Sequence, residues 1–357
     1  MNKVEQQYLD LIKDILENGN DKDDRTGTGT MSLFGRELRH DFKDGFPLFT
    51  TRQISLKTAF TELKWFLLGR TDLKWLLENN CKIWVGDFYK DYKGKCIGDV
   101  LSKEEFCERI LNDNYFSSIF GNANGLYGDQ WRKFNDRVCD ERDDFPVDQI
   151  SNLIDVILSN PDSRRLMVTA WNPTLVPYTL LPPCHYGFQI YTRKLKYQER
   201  FDLLPQNHKD EFLMYKLTHK LTNQGVKNIN ENDTLDFYIN MVNLSIPQRA
   251  MSLKWNQRSG DTLLGIPTNI ISYSMLLMML CKKTNMIPQE VIGSFGYIHI
   301  YKDQISMAKE ILTRQPYQLP TLTLSDRQVD DISEYDWKDF SLSNYQHHPK
   351  MFIPLSN

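Results

Sequence analysis

Apolar residues recur at helical spacing through Tyr8, Leu9, Ile12, Ile15 and Leu16. They predict a helix over 3–18 that stops at Asn18-Gly19. Residues 30–42 alternate as a strand, and Phe46 to Thr51 leads into a turn. The strongly apolar stretch 56–69 (LKTAFTELKWFLLG) predicts a helix carrying Glu62, whose ordinary place is the wet face. Residues 81–131 read as aromatic and irregular, with one helix-like piece, LSKEEFCERIL. Residues 147–158 look helical and are broken by Asn160-Pro161-Asp162-Ser163. Arg164-Arg165 directly precedes the apolar strand LMVTAW, where adjacent side chains point to opposite faces. A further strand runs from Tyr186 to Tyr191. Residues 192–249 are polar and charged apart from an apolar segment at 234–245. They predict a peripheral insertion, part helix and part loop. The pattern resumes at Met251 with a strand to Arg258-Ser259 and a turn at Gly260-Asp261. The apolar helix that begins near Pro267 is hydrophobic all round, which predicts a buried central position. A short strand at 291–301, a helix and an irregular tail from Leu319 complete the chain.

With 357 residues, the whole of 1–357 reads as a single catalytic-size domain plus that insertion. A net charge of -3 excludes a nucleic-acid-coating surface, so basic residues must act locally. The six cysteines form no CxxC and no even framework, which suits free thiols in a reducing cytosol. The N-terminus has no signal-peptide core, and no run is apolar enough to span a membrane. A cytoplasmic protein is expected.

The chemistry concentrates at Leu180-Leu181-Pro182-Pro183-Cys184-His185-Tyr186. Two prolines stiffen the approach to a cysteine at a strand entrance. A lone cysteine is more often a small buried hydrophobe. Arg25, Arg164, Arg165 and Arg258 change that balance if they converge, because guanidiniums bind an anion and favour the nucleophilic thiolate. Asp24-Arg25-Thr26-Gly27-Thr28-Gly29-Thr30 is a turn rich in N–H and hydroxyl donors of the kind that meet phosphate. If Glu62 faced a pocket instead of water, burial would raise its pKa and make it a proton relay. Trp84, Tyr127 and Trp131 could wall a flat ligand, though core packing is the default for aromatics.

Ten motifs in order then spell a resemblance: DRTGTGT, FPLFTT, TELKWFLLG, YGDQW, PDSRR, AWNP, LPPCH, QRSGD, LLGIPTNI and HIY. The chain resembles the thymidylate synthases over most of its length, apart from 192–249 and parts of 86–125. The resemblance implies an α/β (α+β) three-layer fold whose large sheet packs against its twin in a homodimer. The implied substrates are deoxyuridine monophosphate (dUMP) and 5,10-methylenetetrahydrofolate, with no metal, membrane or nucleic acid required. Cys184 matches the nucleophile that adds to uracil C6. Glu62, Tyr127 and His185 match the proton-relay and water-network positions, and Asn269 the base reader. Arg25, Arg258 and Ser259 match phosphate ligands, and Arg164 and Arg165 the pair lent across the dimer. Gln257 and Asp261 match a nucleotide and a pterin contact, and His299 and Tyr301 the ribose ligands. Ile83, Trp84, Leu181, Leu264 and Gly265 fall on the folate side.

Three departures also fall there: Asp87 where a synthase has a second tryptophan, Thr268 where it has phenylalanine, and the ending Leu355-Ser356-Asn357. The related phage deoxycytidylate hydroxymethylases share two of them. The sequence expectation is therefore a dUMP hydroxymethylase of bacteriophage type, acting in host cytoplasm, in which water reaches the exocyclic methylene before hydride. The alternative is a thymidylate synthase. A reading from another class is an inactive nucleotide- or RNA-binding relative.

Overall fold

The computed structural model describes residues 2–24, 26–134, 146–222 and 231–355. In chain order the helices and strands are α1 (Lys3–Asn18), β1 (Asn20–Lys22), β2 (Thr30–Asp41), α2 (Leu56–Leu67), α3 (Leu73–Glu78) and α4 (Val85–Lys95). There follow α5 (Lys103–Asn112), α6 (Asn114–Phe120), α7 (Tyr127–Arg132), α8 (Gln149–Ser159), β3 (Met167–Thr169) and β4 (His185–Lys194). Next come α9 (Tyr197–Asp202), α10 (Gln206–Thr222), α11 (Glu231–Met241), β5 (Arg249–Asp261) and α12 (Gly265–Lys283). The chain closes with β6 (Ile287–Tyr301), α13 (Ile305–Leu312), β7 (Thr321–Leu324) and β8 (Phe340–Ser343).

The fold is mixed α/β around a six-stranded sheet in the order β1-β2-β6-β5-β4-β3. Only β5 and β6 pair in parallel; the other neighbours are antiparallel. One face of the sheet is covered by α1 over β2 and β6 and by α12 over β5 and β6, and α2 packs on α12 as a third layer. α12 is long, nearly without polar breaks and buried on most sides, as its composition requires. α1 is fixed at both ends: Asn2 caps its start, and the Gly19 N–H closes its end on the Ile15 carbonyl.

Several elements differ from the sequence expectation. Residues 81–131 are mostly helical, in α4 to α7, because Tyr89, Tyr92, Phe106, Phe116 and Phe120 pack on one another and supply the helices' inner faces. Arg164 and Arg165 stand on a turn before β3, not on a strand, and both are exposed. β5 runs straight through Gly260-Asp261, because it pairs with β6 as far as His299. β6 is longer than expected for the same reason and pairs on both edges. The tail holds a two-stranded sheet, β7 with β8. The described residues of 192–249 are largely helical, and Leu204, Phe212, Leu235, Tyr238 and Ile239 form a small core apart from the main one. Among the described residues, no helix is long and apolar enough to cross a membrane.

Candidate active site

Cys184 lies immediately before β4, beside a bulge between His185 and Gly187. A bulge re-aims the side chains next to it. The cysteine is held from two sides. Its N–H donates to the Tyr127 hydroxyl at 2.8 Å, and its carbonyl accepts from the Arg258 N–H at 2.8 Å. The Arg258 guanidinium spans the loop, donating from Nε to the Pro183 carbonyl at 2.9 Å and from Nη2 to the Pro182 carbonyl at 2.6 Å. The same Nη2 stands 4.0 Å from Cys184 Sγ. A cation at that range favours thiolate over thiol. Trp171 backs the guanidinium at 5.9 Å.

Behind the cysteine is a cavity lined by Glu62, Leu63, Phe66, Trp131, His185, Asn269, Ser272 and Tyr273. Glu62 is not on the wet face expected for it. It is 9% exposed, and its carboxylate accepts the Trp84 indole N–H at 2.8 Å. Burial pushes its pKa up to about 7, against the lowering effect of that hydrogen bond. A carboxyl so placed exchanges a proton near neutrality. His185 stacks on Tyr127 with centroids 4.0 Å apart, and its Nδ1 shares a 2.8 Å hydrogen bond with the Tyr273 hydroxyl. Burial drives the imidazole down to about pKa 3, so it works as a neutral ring. Tyr127 reaches this point because Gly128 abuts the Arg70 carbonyl, where a Cβ would sit 2.2 Å from the oxygen.

Asn269 projects from the start of the second turn of α12, with its Nδ2 donating to Gln257 Oε1 at 3.0 Å. Asp261 Oδ1 accepts the N–H groups of Leu263 and Leu264, and its Oδ2 accepts from Gln304 at 3.2 Å. His299 is buried, with Nδ1 unpartnered among the described residues, and its ring meets Tyr301 edge-on at 4.9 Å. Ile83, Leu181, Leu264 and Thr268 are half-buried, Asp87 is half-buried on α4, and Leu355 is exposed. The Thr268 hydroxyl turns back to the Leu264 carbonyl at 3.0 Å. Ser259 is half-buried and gives its carbonyl to Gln257.

The four arginines do not gather as a set within the described chain. Arg258 alone stands against the thiol, Arg164 and Arg165 are exposed on their turn, and Arg25 lies outside the described residues. The threonine–glycine turn does not offer all its donors either. Thr26 N–H, Thr26 Oγ1 and Gly29 N–H all point at the Asp24 carboxylate, at 2.9, 2.6 and 2.8 Å. Sequence reasoning missed Leu63, Phe66, Ser272 and Tyr273. The signal was available for the last two, which follow Asn269 at three and four residues on one helix and therefore share its face. Among the described residues, no cluster of His, Cys, Asp or Glu could hold a metal ion.

The family model described as thymidylate synthase matches residues 6–213 and 228–357. The break in that match is narrower than the expected insertion at 192–249. The thymidylate synthase of Listeria monocytogenes serotype 4a (strain HCC23) is 34% identical over 371 residues, covering 98% of this chain and 99% of its own. That of Malacoplasma penetrans (strain HF-2) is 36% identical over 343 residues, 96% of each chain. That of Phytoplasma mali (strain AT) is 34% identical over 341 residues, again 96% of each.

Proposed function

Because this chain belongs to the thymidylate synthase family, whose reaction is one-carbon transfer from 5,10-methylenetetrahydrofolate to C5 of dUMP, we propose that it completes the transfer as a synthase, yielding dTMP and dihydrofolate. The observation that carries the site is one chamber. It lies behind a guanidinium-flanked cysteine and is lined by a buried carboxyl titrating near 7, a neutral histidine and an amide near a helix start.

Each side chain has a step. Cys184 Sγ adds to uracil C6, which makes C5 nucleophilic. Arg258 favours the thiolate and, with Ser259, Arg25 and the partner's arginines, binds the phosphate. Asn269 reads O4 and N3–H. Glu62 moves protons at the base through the cavity it lines, and Tyr127 and His185 order that cavity. His299 Nδ1, buried with no partner among the described residues, meets the ribose next to Tyr301. Bound folate supplies the carbon and then the hydride. Ile83, Leu181 and Leu264 are half-buried apolar side chains and Trp84 is a buried aromatic, groups of the kind that wall a flat ring, and Asp261 is a polar group for its edge.

The methyl outcome has two supports. The relatives that match nearly end to end are named thymidylate synthase. The Thr268 hydroxyl donates its one proton to the Leu264 carbonyl, so it offers no free donor there. A second reading, hydroxymethylation, is favoured by Asp87. It lies three residues after Trp84 on α4, on the same face, where a carboxylate could hold water near the exocyclic methylene. The test of the shared chemistry is tritium release from [5-³H]dUMP, which should depend on methylenetetrahydrofolate. No release with both substrates present would contradict the enzyme reading and favour a binding relative.

We also propose a single catalytic domain working as a homodimer through the open face of the large sheet, where Phe34, Met167, Tyr186 and Tyr191 are exposed. Arg164 and Arg165 then complete the partner's phosphate site. Mixing Arg165→Ala chains with Cys184→Ser chains should restore about one quarter of wild-type activity, since half the dimers are mixed and each has one intact site. Confirmed heterodimers without activity would reject the shared site.

A further inference from the structure

We propose that Trp255 sets the base specificity of this site by holding Asn269 in the orientation that reads uracil, an inference that rests on Asn269 as the base reader. Trp255 is fully buried on β5, so it acts on the substrate only through other residues. Its route is Gln257. The Ser259 carbonyl can only accept, so the Gln257 atom 2.8 Å from it is the Nε2 amide. Gln257 Oε1 is thereby turned to the other side. There it accepts the Trp255 indole N–H at 3.1 Å, from a group that can only donate. The same oxygen accepts Asn269 Nδ2–H at 3.0 Å.

Two groups of fixed polarity therefore fix Gln257, and Gln257 fixes Asn269. The second Nδ2–H and the Oδ1 of Asn269 remain for the base. They complement O4 and N3–H of uracil, whereas cytosine presents an amino donor and an N3 acceptor there. Reversing the Gln257 amide would set its NH2 against the indole N–H and its oxygen against the Ser259 carbonyl. Of the two anchors, the indole is the one made by a side chain, and it is rigidly seated. It stacks on Tyr273 with centroids 5.1 Å apart and planes 11° apart, and it meets Phe295 edge-on at 5.8 Å. Gly293 leaves it room, since a Cβ there would lie 2.4 Å from Cζ2.

Trp255 is a positioning residue, and the readout is a ratio. Dissociation constants for dUMP and dCMP are measured by calorimetry on wild type, Trp255→Phe, Gln257→Met and the double variant. Phenylalanine keeps a ring against Tyr273 and removes only the N–H. The preference for dUMP over dCMP should fall about tenfold in Trp255→Phe, the scale of one hydrogen bond. It should fall less than twofold further when the change is made in Gln257→Met, because no amide remains to be oriented. A purely structural role would weaken both nucleotides alike and leave the ratio in place. An unchanged ratio in folded Trp255→Phe, or effects that multiply in the double variant, overturns the proposal.

If Trp255→Phe does not fold, Trp255→Tyr replaces it, since it also keeps a ring against Tyr273 and removes the indole N–H. The preference should again fall about tenfold, and an unchanged preference in folded Trp255→Tyr overturns the proposal. A wild-type protein with no preference for dUMP would overturn the reading of Asn269 itself. A wild-type preference that Trp255→Phe keeps overturns Trp255 alone.

Discussion

Cys184→Ser should bind dUMP within a fewfold of wild type and turn over at least about 10⁴-fold more slowly, as removal of an enzymatic nucleophile does. The contacts that shape the loop are backbone groups and survive the change: Cys184 N–H to Tyr127, and Arg258 to the carbonyls of residues 182–184. Only the reacting atom is lost. The guanidinium at 4.0 Å shifts a thiol toward its anion, but a hydroxyl starts too far above neutrality for one nearby cation to ionise it. Steady-state rates with equilibrium dUMP binding check this. More than a trace of activity in a preparation free of wild-type enzyme would remove Cys184 from its role.

Glu62→Gln should cut kcat by about 10²- to 10⁴-fold while raising stability in alkaline solution. Glutamine can still accept the Trp84 N–H, so the cavity keeps its shape, but it cannot carry a proton. The folded pKa of Glu62 is about 7, above the ordinary 4.5. Between those values the folded state holds a proton that the unfolded chain releases. Its stabilising contribution is complete below pH 4.5 and is lost as pH rises through 7. Relative to the variant, wild type should lose on the order of 3 kcal/mol between pH 5 and pH 8.5. Burial of His185 acts oppositely, its contribution fading as pH falls below about 6.5, and it cancels in the comparison because both proteins carry it. Denaturant melts of both proteins at several pH values give the difference. A gap that does not change with pH would mean that Glu62 is not a buried neutral acid.

These two residues mark what the sequence could and could not carry. α1, β2, α2 and α12 were legible because each buries a face with a clear period, and the ordered motifs carried the family. The position of Glu62 was not, because helical spacing cannot distinguish a face toward water from a face toward an internal cavity. The helices α4 and α6 were hidden because aromatics from three segments, α4, α5 and α6, complete one another's faces only after folding. The donors of the threonine–glycine turn looked free because nothing local shows that Asp24 gathers them. The most instructive case is Trp255. Strand alternation marks it as core, and it is core, yet its single N–H decides how a glutamine two residues away is oriented. The expectation of a hydroxymethylase rested on two wall positions, Asp87 and Thr268, and on the ending Leu355-Ser356-Asn357, whose last two residues lie outside the described ones. Of these, Thr268 proves to have its hydroxyl proton engaged by the Leu264 carbonyl.

The central claim is the fate of the one-carbon unit, and the nucleotide product tests it most directly. Purified protein is incubated with dUMP and 5,10-methylenetetrahydrofolate, the nucleotide is weighed by mass spectrometry, and dihydrofolate is followed by absorbance. The account predicts dTMP with one dihydrofolate formed for each. 5-Hydroxymethyl-dUMP without dihydrofolate would contradict it and leave the hydroxymethylase reading in its place.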